Sequence, residues 1–157
     1  MFFKYLTVFF ISMVPLVELR GAIPIALGMG LPALPAILLC MVGNMIPVPI
    51  IYFFARKFLL WGAKQPYIGK ICNFFVVKGE RAGRKLAAKS GRNGLALALL
   101  LFVGIPLPGT GAWTGTLGAS FLNMGPKATA AAVSVGVVLA GVIMYVVSLL
   151  GLHIFGL

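Results

Sequence analysis

Two long apolar stretches, residues 1–55 and 93–157, are each broken near the middle by proline and glycine, and a short basic segment separates them. The two stretches carry only Lys4, Glu18, Arg20 and Lys127 as formal charges. Residues 56–92 hold ten of the thirteen basic residues: Arg56, Lys57, Lys64, Lys70, Lys78, Arg81, Arg84, Lys85, Lys89 and Arg92. This distribution excludes a water-soluble domain. Only 10% of the chain is charged and 61% is hydrophobic, whereas soluble domains are about 25% charged and need that polar surface to cover a core. It equally excludes a disordered chain, which is poor in apolar residues. The class is an all-α polytopic membrane protein. The positive-inside rule puts the basic segment in the cytoplasm, so the expected location is the cell (inner) membrane, multi-pass. Membrane lipids, not nucleic acid, are the expected partners of the +11 charge, because no base-stacking or groove-reading context accompanies it.

The apolar pieces differ in reach. At 1.5 Å per residue, a helix over 1–14 is about 21 Å long and one over 94–105 about 18 Å. Neither crosses a hydrocarbon core of about 30 Å. Residues 33–55 and 127–152 give about 35 Å and about 39 Å and span with tilt. The halves also correspond. Ile11-Ser12-Met13-Val14-Pro15-Leu16 aligns with Phe102-Val103-Gly104-Ile105-Pro106-Leu107, and a proline opens each long helix, at Pro32 and Pro126. The reading that satisfies both facts is an inverted repeat of a re-entrant helical hairpin plus a transmembrane helix. Its parts are hairpin 1 (1–30), a transmembrane helix (32–57), the basic cytoplasmic segment (58–92), hairpin 2 (94–124) and a second transmembrane helix (126–155). The N-terminus is then outside and Lys127 inside. Four full spans with both termini inside is the alternative, with Lys4 inside and Lys127 outside. Met1-Phe2-Phe3-Lys4 could open a signal peptide, but no small-x-small cleavage pattern follows. Cys40 and Cys72 have no paired spacing and imply neither a disulfide nor a zinc site. In the basic segment, Lys78, Arg81, Lys85, Lys89 and Arg92 recur at spacings of three and four, which places them on one helical face. That face reads as a lipid-surface contact or simply as a solvated topology determinant.

The chemistry concentrates at the two hairpin tips. Glu18 and Arg20 are ionisable groups at membrane depth, costing about 2.5–3.5 kcal/mol each on insertion scales. Such groups are paired or line a wet cavity. As a site, Glu18 would take a proton or cation and Arg20 would bind an anion; as structure, the two would neutralise each other and pin the hairpin. Pro24 follows in the same turn sequence. The second tip is Pro106-Leu107-Pro108-Gly109-Thr110-Gly111, ahead of Trp113. Its prolines stop the incoming helix, its glycines permit a tight reversal, and Thr110 is a candidate N-cap for the outgoing helix. The free N–H groups of that helix, at Thr110-Gly111-Ala112, then form an anion site with Arg20, unless the cap and partner carbonyls satisfy them. Asn44, in the first long span beside Pro47 and Pro49, could bind a ligand or join helices. Thr114, Thr116 and Asn123 are secondary candidates, and His153 reads as interfacial. There is no Asp, no paired carboxylate and no metal-ligand cluster, so no hydrolytic enzyme, metal site or organic cofactor is expected. A coupling ion, H+ or Na+, is compatible with Glu18.

Glu18-Leu19-Arg20-Gly21-Ala22-Ile23-Pro24, and Ile105 to Gly115 with its Pro106-Leu107-Pro108-Gly109-Thr110-Gly111 core, resemble the signature stretches of the small multidrug export protein family. That family is distantly similar to the DedA/VTT membrane proteins. The resemblance implies paired re-entrant hairpins, and in DedA/VTT proteins transport or scrambling of lipids, including a polyprenyl phosphate carrier, coupled to proton or sodium gradients. DedA-type second hairpins carry arginines where Val103 and Gly109 stand here, which leaves Arg20 as the intramembrane cation. Three functions follow: a secondary transporter or flippase for an anionic amphipathic substrate such as a lipid phosphate, a proton-coupled exporter of cationic drugs, or a non-transporting assembly factor. A chain this short encloses a lipid-sized path more readily as a homodimer.

Overall fold

The computed structural model describes the backbone of all residues except Leu16, Pro108 and 155–157, and in addition leaves out the side chains of 55–56, 75, 78–90, 92–93 and 152–154. The described elements are helical. Helix α1 (Phe2–Met13) stops because Pro15 disfavours the helical region for Val14, which is extended at ψ 129°. Helix α2 (Glu18–Gly28) turns back on it. Lys4 Nζ donates to the Met29 carbonyl at 2.8 Å, so the start of α1 meets the end of α2.

Next come α3 (Ala33–Met45), the single turn α4 (Pro47–Ile50), a π-helical segment (Ile51–Ala55) and α5 (Arg56–Gly62). Pro47 and Pro49 remove two ladder N–H groups, and the following widened turn absorbs the change of register. The first long helix therefore changes register at these prolines, and Ala33–Phe54 is a 22-residue stretch apolar and long enough to span. Helix α6 (Gly69–Gly104) is broken at Gly91, whose φ of 58° and ψ of −175° are not helical. Its last part, Gly94–Gly104, is short and apolar. Helix α7 (Ala112–Phe121) folds back against it, with Gly115 against Leu99 and Val103. Helix α8 (Pro126–Ile154) contains a 26-residue stretch of spanning length, Pro126–Gly151. The side chains of Lys78, Arg81, Lys85, Lys89 and Arg92, and Pro108 itself, lie outside the described residues.

The two long helices run antiparallel. Gly141 abuts Met41 and Ile37, and the Ser134 hydroxyl is 3.9 Å from the Met45 sulfur. Each long helix also receives the first helix of its own hairpin on a glycine. Gly43 sits against the Phe9 carbonyl and Ser12, and Gly136 against the Leu100 carbonyl and Val103. Phe9 and Leu100, like Ser12 and Val103, correspond in the aligned halves. The Tyr52 hydroxyl donates to the Met124 carbonyl, so the loop before α8 lies beside the far end of the first long helix.

The interior is small and the exterior large. Ala22, Ala26, Ala36, Ala112, Ala119 and Ala140 are buried, while Leu34, Leu38, Val42, Ile46 and Ile50 form an exposed stripe one turn apart on the first long helix. Val135, Val138, Val142 and Val146 do the same on α8. Close packing on small residues with a bulky apolar coat is what a bilayer selects. In water such stripes would be an extended apolar patch.

Candidate functional site

The two hairpin tips meet inside the molecule and exchange hydrogen bonds. Glu18 opens α2 with φ at 51°, left-handed backbone that a residue with a side chain rarely adopts. This turns its carboxylate to the opposite hairpin, where it is 4% exposed. Its two oxygens accept the backbone N–H groups of Ala112 (3.2 Å) and Trp113 (3.0 Å), the first residues of α7. A carboxylate at a helix N-terminus is favourable through both the charge-assisted bonds and the helix dipole. Arg20 does the converse at the end of the incoming helix. Its Nη2 donates to the carbonyls of Val103 and Ile105, each at 3.2 Å, and its Nη1 to that of Leu107. Trp113 answers from the second hairpin, its Nε1 donating to the Met13 carbonyl at the end of α1 (3.2 Å). Each tip thus satisfies backbone groups that the other leaves open, as buried non-helical backbone requires.

Of the two readings of Glu18 and Arg20, the direct mutual ion pair is not formed; each binds the opposite hairpin instead. One expectation changes. Thr110 does not cap α7. The N-cap is Gly111, and the Thr110 hydroxyl lies 3.0 Å and 2.9 Å from the Ile105 and Leu107 carbonyls, tying off the turn. The N–H groups expected to hold a substrate anion are held by Glu18 in this state. Gly111 makes that possible. Its φ is 148°, and a Cβ built on it would overlap the Glu18 carboxylate.

Beside this interlock lies a cavity of about 540 Å³. Glu18, Arg20, Pro106, Gly109, Thr110 and Trp113 all line it, so most of the residues singled out in the sequence converge on one place. Thr114 lines it too. Pro24 does not: it lies within α2 on an exposed face. Asn44 is buried away from the cavity lining, with neither amide atom partnered. The remaining walls are apolar residues that sequence reasoning missed: Ile51, Phe58 and Leu59 around the π-helical segment, and Leu117 and Met144. Pro47 and Pro49 were the available signal for the first group. A second cavity of about 480 Å³, lined by Met13, Pro47, Ile50, Phe54 and other apolar residues, shares Ile51, Phe58 and Trp113 with the first.

The described elements are thus helical, with two helices of spanning length and a cavity where the two hairpin tips meet. Residues 18–143 match the family described as "Putative small multi-drug export protein", and the chain belongs to it. Comparison with curated proteins and with solved structures gives no match.

Proposed function

We propose that this chain is a secondary carrier for an amphipathic substrate with an anionic head, of which a lipid phosphate is one. The observation that carries the reading is the cavity at the tips, charged at one end and apolar elsewhere. Glu18 is buried and has both oxygens bonded, whereas Arg20 is only partly buried and keeps N–H groups beyond the three bonds it makes. The charge offered to a ligand is therefore cationic. The apolar second cavity, across the wall of Ile51, Phe58 and Trp113, extends the path for a hydrocarbon chain.

Coupling follows from the interlock. A proton on Glu18 removes the charge that holds the Ala112 and Trp113 N–H groups, and the anionic head becomes the competing acceptor beside Arg20. Proton and anion then bind together; a sodium ion is the alternative coupling ion. We place the protein in the inner membrane with residues 56–92 in the cytoplasm, the hairpins re-entrant and the halves inverted. The matching glycine contacts at Gly43 and Gly136 support that repeat. The family description favours a second reading, proton-coupled export of drugs, with Trp113 and Phe58 as apolar contacts.

The test is translocation of headgroup-labelled lipid, including polyprenyl phosphate, in proteoliposomes with and without a pH gradient. Gradient-dependent movement is expected in wild type and lost in Glu18→Gln and Arg20→Ala. Wild-type rates in both variants would overturn the site. Movement of cationic drugs but not of anionic lipids would establish the second reading instead.

A further inference from the structure

On one side, the seam between the first long helix and α8 opens into two adjoining cavities. One, of about 340 Å³, separates Val48, Pro49 and Phe53 from the first turn of α8 and has Lys127, Thr129 and Ala130 in its lining. The other, of about 370 Å³, continues between Val42 and Ile46 on one wall and Ser134, Val137 and Val138 on the other. Met45 lines both, so the two form one trough. Its floor, at Val48, Thr129 and Val137, is buried, whereas Val42, Ile46, Phe53 and Val138 are exposed. The trough is therefore open to the outside along its length.

Its polarity is confined to one end. Lys127 is the one charged residue in either lining. Helix α8 starts at the same end. Its Thr129 N–H donates to the Gly125 carbonyl at 3.0 Å, so the N–H groups of Lys127 and Ala128 precede the first intrahelical bond and carry the positive end of the helix dipole. Beside them the Thr129 hydroxyl, 1% exposed, has no hydrogen-bond partner, although buried polar groups ordinarily have one. The Tyr52 hydroxyl is already committed to the Met124 carbonyl. From Lys127 to Val138 the helix rises about 16 Å, half of a hydrocarbon core of about 30 Å. The trough has the depth of one leaflet, with its cation and free donors at the mouth.

We propose that this trough holds one anionic phospholipid from the leaflet on the side of the basic segment. The phosphate pairs with the Lys127 ammonium and the first N–H groups of α8, a headgroup oxygen accepts the Thr129 hydroxyl, and an acyl chain lies along Met45 towards Val138. A second copy of the chain fits the apolar walls but not the charge. It would have to bring an acid to Lys127, and of the two acids in the chain Glu18 is buried in the interlock and Glu80 lies in the basic segment. The site is separate from the Glu18–Arg20 interlock and does not depend on which substrate that interlock serves.

The probe is phosphatidylglycerol, compared with phosphatidylcholine of the same acyl chains. The purified full chain is released from detergent micelles containing either lipid, and the lipid it retains is counted by native mass spectrometry. Wild type is expected to retain phosphatidylglycerol in preference. Lys127→Gln should weaken that binding about fivefold, the worth of one cation near an anionic headgroup, and leave phosphatidylcholine unchanged. Ala130→Phe fills the trough and should lower retention of both lipids. Both positions are exposed, and a wild-type Tm in phosphatidylcholine shows that the variants fold. Should Ala130→Phe not fold, Val138→Trp blocks the trough at its far end. Lys64→Gln, an exposed cation outside the trough, should bind as wild type does. Equal retention of the two lipids by wild type overturns the site. So does wild-type phosphatidylglycerol binding in both Lys127→Gln and the blocked variant, which would place the lipid at Arg20 or on the basic segment. A lipid-free dimer that Ala130→Phe dissociates also overturns it, because a second copy then covers the trough.

Discussion

Glu18 holds left-handed backbone at φ 51° without being glycine or asparagine, and such strain costs about 1–3 kcal/mol. The two charge-assisted bonds to Ala112 and Trp113 offset it, since bonds to a charged group contribute about 1.5–3 kcal/mol each. Gly111 is the other half of this contact, because any Cβ there takes the carboxylate's place. Gly111→Ala is therefore expected to detach Glu18 from α7 and to lower stability by about 2–3 kcal/mol. The readout is the midpoint of thermal unfolding in detergent. A Gly111→Ala protein that melts with wild type would show that the carboxylate does not hold the helix. Gly109, also at positive φ (79°), has open space around its Cβ position. Alanine there meets only backbone strain and should cost less, which separates the steric effect from the conformational one.

At the scale of the element, the polarity of the interlock matters more than the pairing of its charges. Acid sits at the start of α7 and base at the end of the helix that enters the second tip. Exchanging them, with Glu18→Arg and Arg20→Glu together, conserves net charge but opposes both helix dipoles and leaves N–H facing N–H and carbonyl facing carboxylate. The exchanged protein is expected to lose its monodisperse peak in size-exclusion chromatography even if the protein does not transport anything. A folded exchange variant would return the two residues to a simple mutual ion pair. The prominence of Glu18 and Arg20 is legible in the sequence, since ionisable groups in an apolar run stand out by their cost. Their partners are not legible, because hydrogen bonds between residues some 90 positions apart depend on how two hairpins dock. Thr110 looks like the cap of α7 because threonine favours that role. The tight approach of Glu18 gives the position to Gly111 instead. The breaks between helices are legible from proline placement. The π-helical segment and the cavity wall it supplies are not, because a register shift leaves no periodicity to read.

For the whole molecule, four spans and two spans with two returning hairpins differ in which ends lie together. Lys4 reaches the carbonyl of Met29, so both ends of the first hairpin are at one face, next to the start of α3. Tyr52, close to the basic segment, reaches the carbonyl of Met124, so the loop before α8 is at the opposite face, with that segment. The helices α1 and Gly94–Gly104 have 12 and 11 residues, about 18 Å and 16 Å, short of a core of about 30 Å. The returning arrangement then places position 127 on the same side as residues 56–92 and position 4 on the other side. Four full spans place position 4 with the basic segment and position 127 opposite. Single cysteines substituted for Lys4, Lys127 and Lys64, in a chain whose Cys40 and Cys72 are serine, can be labelled in intact cells and in inverted vesicles with a membrane-impermeant maleimide. The expected result is that Lys64→Cys and Lys127→Cys label from the cytoplasmic side only and Lys4→Cys from the other side only. Labelling of Lys4→Cys together with Lys64→Cys would require both hairpins to be pulled out into full spans. It would also separate the tips, because Glu18 and Ala112 could no longer sit at the same depth. The topology experiment thus tests the interlock, and with it the cavity, from outside the site.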